Sequence, residues 1–406
     1  MMGVELSLTA ILYSPLACLL WLVGVAGYTL FHLREVKLEP YSVGLLLLTM
    51  WSFAVAVFYN SWVSMAATVV LACFFLFHQW IISRVWQEEE LDRLFRRLFH
   101  LGTGTALIGW LQQMDQWPAA ANVFTRMMGW VPLVPISEDR ISGTFSNPNF
   151  AASWYAVLLI LGLWMWERAS RAGKRLIVAE MIVLMGALYF TGSRGGFMAW
   201  LAGTGCYLLV RYRRQAWFGV GGMAALLLTV GFFRPEWLPR GHLFWQSLET
   251  RLDIWRSGLD LFLSRPVTGI GLANMWFLPP WETGYPVPLP HAHNTLLSVA
   301  VELGLIGLVL FVWMQVFVWK GLYQLTAAGR PHAPVLAGAM AALMAHGLVD
   351  HPLFLPQVAL IYFGVSGLVL SLAPAVSTTG QLAPDLVRFW KNSHRSATFH
   401  SSITHR

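Results

Sequence analysis

Residues 294–319 read NTLLSVAVELGLIGLVLFVWMQVFVW, an apolar run of near-membrane length. A helix needs about 20 predominantly apolar residues to cross a bilayer core, so this run reads as a transmembrane helix. Similar runs lie near 7–31, 41–60, 63–82, 99–114, 150–166, 176–191, 196–210, 216–233, 334–349 and 354–373. Several are shorter than a straight span prefers. The first is too long for the core of a signal peptide and has no small-residue cleavage site after it, so it reads as the first span. The 406-residue chain is 57% hydrophobic and 12% charged, with a mean hydropathy of +0.58. Soluble domains carry about 25% charged residues, and that shortfall excludes a soluble globular protein. Many of the 21 Trp sit near the ends of apolar runs, as interfacial anchors do. The expected fold is therefore an all-α integral membrane protein, a bundle of about eleven transmembrane helices. Its divisions are N-terminal helices over 1–114, a core over 115–373, and a polar, disordered tail over 374–406.

The basic residues orient this bundle. Alternate connections hold Arg34 and Lys37, then Arg84, Arg93, Arg96 and Arg97, then the clusters at 168–175 and 211–214, then Lys320 and Arg330. By the positive-inside rule these connections are cytoplasmic. The N-terminus is then outside and the tail inside. The net charge of +7 is spread through these short loops, which excludes a nucleic-acid partner and leaves membrane lipids as the surroundings. On the opposite side every basic residue is Arg, the side chain suited to forked contacts with phosphate. Chance and interfacial anchoring explain that bias equally well. Two connections on this side, 115–149 and 234–293, are long enough to carry function. The spacing of apolar residues over 248–263 predicts an amphipathic helix at the interface. Cys18, Cys73 and Cys206 lie in separate apolar runs and form neither a metal spacing nor a disulfide framework.

Four outer clusters can carry chemistry. In Ser146-Asn147-Pro148-Asn149 the residues favour a tight turn, and Asn147 and Asn149 either enter a helix or contact a sugar or phosphate. In Thr191-Gly192-Ser193-Arg194-Gly195-Gly196 a charge lies close to the hydrocarbon, a costly placement that marks function. Ser193 and Arg194 bind an anion there, with small neighbours admitting a ligand to the backbone, or else Arg194 snorkels to headgroups. Arg251 and Arg256 are five residues apart, so on one helix they do not share a face. One points into a site and the other to headgroups or to a carboxylate such as Asp253 or Asp260. Finally, His291-Ala292-His293-Asn294 precedes the run quoted above, and His is the side chain that titrates near neutral pH. Two His at i, i+2 raise the question of a metal, but no Cys or carboxylate is spaced to complete a site. No metal and no cofactor are expected. Asp350, in Ala345-His346-Gly347-Leu348-Val349-Asp350-His351-Pro352, either orients an imidazole or caps a helix.

The pieces SNPNF, TGSRGGF, ETRLDIW…SRPVTGIGLANM, HAHNTLLSVAVELGLIG and AHGLVDHPLF occur in this order over residues 143–365. In this the chain resembles the O-antigen ligase and O-antigen polymerase superfamily of multi-span glycosyltransferases, whose members have about twelve spans. The resemblance implies transfer of a glycan from an undecaprenyl-diphosphate carrier to a lipid, glycan or protein acceptor, on the outer face of a bacterial inner membrane, without metal. It implies that Arg194 and Arg251, with Arg256 second, bind the diphosphate, and that His293 takes the acceptor proton. Ligase and polymerase both remain open. A transporter or flippase of a polyprenyl-linked glycan or small anion is the alternative.

Overall fold

The structure is a computed structural model that describes residues 12–33, 35–117, 122–132, 140–234, 240–285 and 288–373. The expected tail at 374–406 and the first residues of the 7–31 run lie outside the described residues. Among the described residues the chain forms helices and no strands. The long helices are α1 (Pro15–His32), α2 (Pro40–Phe58), α3 (Trp62–Ser83), α4 (Glu88–Gln113), α5 (Pro148–Arg168) and α6 (Arg171–Phe190). They continue with α7 (Arg194–Tyr212), α8 (Ala216–Phe233), α9 (Phe244–Ser264), α10 (Thr295–Ala327), α11 (Ala333–Gly347) and α12 (Pro356–Leu372). Each run read as a span falls on one of these helices, and α9 is the amphipathic helix expected over 248–263. Length and composition qualify α1, α2, α3, α5 and α10 to cross a membrane, and α11 and α12 are shorter apolar helices.

Several boundaries differ from the sequence expectation, most of all where charged residues belong to a helix. The charged stretch before residue 99 is helix, not loop: α4 starts at Glu88 with Glu88, Glu89 and Glu90 in its first turn and a capping box between Gln87 and Glu90. Carboxylates at a helix N-terminus satisfy its exposed N–H groups and complement its dipole. Hydropathy registers none of that. Likewise α10 runs on past residue 319 to Ala327.

Helix α5 is the buried axis, with Trp154, Tyr155 and Trp164 almost wholly enclosed. Against it α7 and α11 pack at glycine distance. A Cβ on Gly203 would lie 2.7 Å from the Gly338 carbonyl, and one on Gly195 would lie 2.8 Å from the His346 ring. Small residues permit such approach in helix bundles of membrane proteins. Helix α10 is broken at Gly304, where φ is 67° and ψ −168°. The freed backbone groups are taken up by residues 266–271: Leu305 N–H donates to Pro266 O at 2.8 Å, while Ile270 and Gly271 N–H donate to Val301 and Glu302 O.

The two ends of the bundle are chemically distinct. At one, Lys37 donates to Ile82 O, Arg168 to Pro331 O, and Arg211 pairs with Glu167. These are the connections that the sequence groups on one side by their basic residues. At the other end lie Arg140, Asn149, Arg194, Arg251, His291, His293 and Asp350.

Candidate functional site

The turn 346–351, between α11 and α12, is the hub of that second end. Asn294 caps α10: its Oδ1 accepts from Leu297 N–H at 3.0 Å, and its Nδ2 donates to Leu348 O at 2.9 Å. Arg251, halfway along α9, donates from Nε to Val349 O at 3.0 Å. Gly195, on the first turn of α7, faces His346 and Val349. Thus three elements far apart in sequence grip consecutive residues of one turn, and they fix the position of the next, Asp350.

Asp350 is buried and its carboxylate is fully engaged. Oδ1 accepts from His351 N–H at 2.8 Å and lies 3.1 Å from His293 Nδ1. Oδ2 accepts from Asn149 Nδ2 at 2.6 Å. His291 Nε2 comes within 3.7 Å of Oδ1. Burial alone would raise this carboxyl, but the charge and hydrogen bond of His293, followed by His291 and His346, outweigh it. They hold Asp350 well below the usual carboxylate range. Asp350 is an anion here.

His293 sits just before α10 with φ of 47°, a left-handed conformation uncommon for a side chain of this size. The strain is held from both sides: its N–H donates to His291 Nδ1 at 3.2 Å, and its C=O accepts from Trp255 Nε1 at 3.2 Å. When the ring is neutral, the nitrogen that faces the carboxylate, Nδ1, holds the proton and Nε2 is left to accept. The His293 side chain is 26% exposed, against 2% for Asp350 and 4% for His291. It is the reachable member of the cluster. His291 is kept neutral: burial first, and then the charge of His293, push it well below its ordinary value. His351, whose Nδ1 meets Thr295 Oγ1 at 3.2 Å, is pushed down to about 4 by burial, against the pull of Asp350.

Asn149 is itself positioned by Arg140, which donates from Nη2 to Asn149 Oδ1 at 2.8 Å and from Nε to Thr191 O at 2.7 Å. The chain Arg140, Asn149, Asp350, His293 is continuous. The cap at the Asn-Pro-Asn turn is Asn147, whose Oδ1 accepts from Asn149 N–H, and this frees the Asn149 side chain for Asp350.

The Arg cluster resolves as the five-residue spacing requires. Both lie on α9, and Arg251 meets the hub while Arg256 is 75% exposed and pairs with Asp253 at 3.0 Å. Arg194, the first residue of α7, extends its guanidinium to the carbonyls of Arg240 and Leu243 at 3.2 and 3.5 Å, in the segment that leads into α9. Ser193 caps α7, its Oγ accepting from Gly196 N–H at 3.1 Å. The expectation that small neighbours of Arg194 admit a ligand to the backbone is corrected. A Cβ on Gly195 would meet His346, and one on Gly196 would meet Ala152, so this space belongs to helix packing.

The structure also supplies the carboxylate that sequence spacing lacks for a metal. Donor atoms of His291, His293 and Asp350 lie within 4.8 Å of one another, close enough to share an ion.

Compared with known proteins, residues 179–312 match the family model described as O-antigen ligase. That range holds Arg194, Arg251, Arg256, His291, His293 and Asn294, but neither Asn149 nor Asp350. A candidate polysaccharide ligase of Rickettsia conorii is 26% identical over 190 residues, 43% of this chain and 43% of the relative. One of Rickettsia felis is 24% identical over 296 residues, 69% of this chain and 67% of the relative. One of Rickettsia prowazekii is 27% identical over 150 residues, 32% of this chain and 36% of the relative. The chain thus spans less than half the length of two of these three relatives.

Proposed function

From the match of residues 179–312 to the O-antigen ligase family model and the likeness to polysaccharide ligases, we propose that this chain is a multi-pass membrane glycosyltransferase of the O-antigen ligase superfamily. Its donor is a glycan on undecaprenyl diphosphate, its acceptor a lipid, glycan or protein hydroxyl, and its setting the outer face of a bacterial inner membrane. The N-terminus is outside and the C-terminus cytoplasmic. The observation that carries this reading is the His293–Asp350 pair, its imidazole partly exposed and its carboxylate on a turn that Arg251 also grips.

The chemistry follows from those positions. The acceptor hydroxyl donates its proton to His293 Nε2 as its oxygen attacks the anomeric carbon. The bond from that carbon to the diphosphate oxygen breaks, and the leaving diphosphate takes the electron pair. Arg194 and Arg251 stabilise the charge as it develops on the phosphate oxygens. Asp350 holds the imidazole in the accepting tautomer and stabilises the imidazolium. A single displacement inverts the anomeric centre. No metal is needed, because diphosphate is already a good leaving group and positioning supplies the rest. Asn147, Asn149, Ser193, Asn294 and His291 build the walls and turns that hold these groups.

One observation favours the alternative, a transporter. Broken helices near the midplane are a transporter feature, and α10 is broken at Gly304 beside the buried Glu302. The break is closed by protein backbone, which is how non-helical segments are tolerated inside bilayers without forming a pathway. The transferase reading therefore stands first.

The test is transfer by purified protein in nanodiscs, with undecaprenyl-diphosphate glycan and EDTA, wild type beside His293→Ala. Transfer by wild type and a loss of about 100-fold or more in the variant are expected, the lower end of what a general base contributes. Full transfer by normally inserted His293→Ala and Arg194→Ala proteins would end the proposal. Loss of wild-type activity in EDTA, restored by a divalent ion, would give the His291–His293–Asp350 set to a metal.

A further inference from the structure

Two cavities adjoin at the opposite, basic end of the bundle, and the larger extends from there along α1 and α5 as far as Leu12 and Trp154. One, of about 620 Å³, is walled by α1, α3, α4, α5, α11 and α12, with Phe77, Trp80, Leu161 and Leu360 among its apolar lining. That volume is within the roughly 300–1,000 Å³ typical of ligand sites. Its charged residues are Arg84, Glu90 and Arg97. The second, of about 300 Å³, is mixed in character, with Lys37, Arg84, Glu88, Arg330 and His332 in its lining. Arg84, Trp86 and Leu336 line both, so the two are one amphipathic site with an apolar compartment and a charged one.

The charges in this site have a sign. Its lining presents Lys37, Arg84, Arg97 and Arg330 against Glu88 and Glu90. His332 is already committed to Asp92, 2.7 Å away. Arg84 is held in place at the shared wall: it stacks over the Trp86 ring at 4.7 Å and pairs with Glu90 at 3.2 Å. Lys37 is anchored by its bond to Ile82 O at 2.8 Å. Basic pockets between membrane helices recognise anionic lipid headgroups, and aromatic side chains mark the depth at which headgroups lie.

We propose that this is a binding site for an anionic phospholipid, its acyl chain in the 620 Å³ compartment and its phosphate among Lys37, Arg84 and Arg330. The charged compartment is at the far end of the bundle from His293 and Asp350, the apolar one runs from it along α1 and α5 as far as Leu12 and Trp154, and neither is lined by His293 or Asp350. A chain inserted between α1, α4, α5 and α12 fills space that the helices do not close themselves, and so ties the N-terminal helices to the core. The inference rests on the membrane reading of the fold but not on the transferase reading, and the two fail separately.

Purified protein reconstituted in nanodiscs of phosphatidylglycerol or of phosphatidylcholine, then released into detergent and weighed by native mass spectrometry, tests it. Retention of phosphatidylglycerol, and not of phosphatidylcholine, is expected. Arg84→Gln with Arg330→Gln should weaken retention about 30-fold, taking roughly 1 kcal/mol per cation near an anionic headgroup and 1.4 kcal/mol per tenfold. Gly24→Leu with Gly364→Leu should abolish it. Both glycines line the apolar compartment, and a Cβ meets nothing within 4 Å at Gly24 and only the Phe77 ring, at 3.9 Å, at Gly364. Equal retention of the two lipids by wild type would overturn the proposal without any variant. So would undiminished retention by the filled variant, or protection against thermal unfolding by inorganic phosphate equal to that by phosphatidylglycerol. His293→Ala should keep its lipid whatever it does to glycan transfer.

Discussion

Replacing Asp350 with Asn removes one charge from the cluster and almost no volume, and the geometry states what must follow. Oδ1 receives His351 N–H and faces the His293 Nδ1 proton, whereas Oδ2 receives Asn149 Nδ2. If the new amide keeps its oxygen toward His293, its NH₂ confronts the Asn149 NH₂, donor against donor. Asn149 cannot rotate to help, because its oxygen is held by Arg140. If the amide turns over, its NH₂ faces His293 Nδ1 and forces the proton to Nε2, the atom required to accept. In the first arrangement transfer loses the carboxylate's support of the imidazolium. At about 1.5–3 kcal/mol for a hydrogen bond to a charged group, kcat falls roughly 10- to 150-fold. In the second the base is blocked, and the loss approaches the roughly 10⁴-fold seen for the equivalent change in the Ser-His-Asp triad. Either way kcat carries the effect while donor KM stays near its wild-type value, since Asp350 touches no substrate in this scheme. The assay is initial-rate glycan transfer by purified wild-type and Asp350→Asn protein in nanodiscs, with thermal unfolding as the check on folding. A folded variant with kcat within about threefold of wild type would refute the claim that this carboxylate sets the His293 tautomer, since even the weaker arrangement predicts about tenfold.

Three further outcomes are expected. Gly304→Ala should lower thermal stability by more than about 3 kcal/mol or prevent folding, because the observed φ and ψ are open essentially to Gly alone and a Cβ would strike the Val267 carbonyl; a stable, fully active variant would contradict the break in α10. Stability should fall as pH is lowered from about 6.5 to about 4. His351 has its folded pKa pushed down to about 4, so the unfolded chain binds the extra proton in that window, costing roughly 3 kcal/mol by the lower limit; His351→Gln should flatten this part of a thermal-midpoint profile, and an unchanged slope would count against a buried neutral imidazole. Arg256→Ala should leave transfer within about twofold, as suits an exposed pair with Asp253, whereas Arg251→Ala should cost about tenfold or more by releasing the Val349 carbonyl; the reverse order would exchange their assignments.

The helices were legible in the sequence because long apolar runs have few alternatives, and the second end of the bundle was legible because its motifs fall at run ends. The Asn294 of the His293-Asn294 pair reads as a helix cap, which is what α10 shows. The five-residue spacing of Arg251 and Arg256 likewise told in advance that they part company. Boundaries such as Glu88 were not legible from hydropathy, although three consecutive Glu at 88–90 are a capping signal that could have moved the start of α4. The glycines of Ser-Arg-Gly-Gly are ambiguous in sequence because an anion site and a close helix contact ask for the same residue; at Gly195 and Gly196 the neighbours are His346 and Ala152.

What stayed hidden is the hub, and the reason is distance along the chain. Asn149 and Asp350 are 201 residues apart, and His293 and Asp350 57. No local pattern joins them. Local patterns gave Asp350 two readings, as an imidazole partner and as a helix cap, and both motifs that it links looked complete without it. Yet a His beside an apolar helix is ambiguous until something fixes its tautomer. In this chain that partner is buried, ionised, and held by a turn that α7, α9 and α10 all touch. Arg140 belongs to the same logic: it was visible only as one more outer Arg, but it holds the amide that holds the carboxylate. The candidate base is thus written locally, in His-Ala-His-Asn, whereas its hydrogen-bond partners are written in the packing. A substitution that loosens the turn 346–351 should therefore act on His293 as surely as one made beside it.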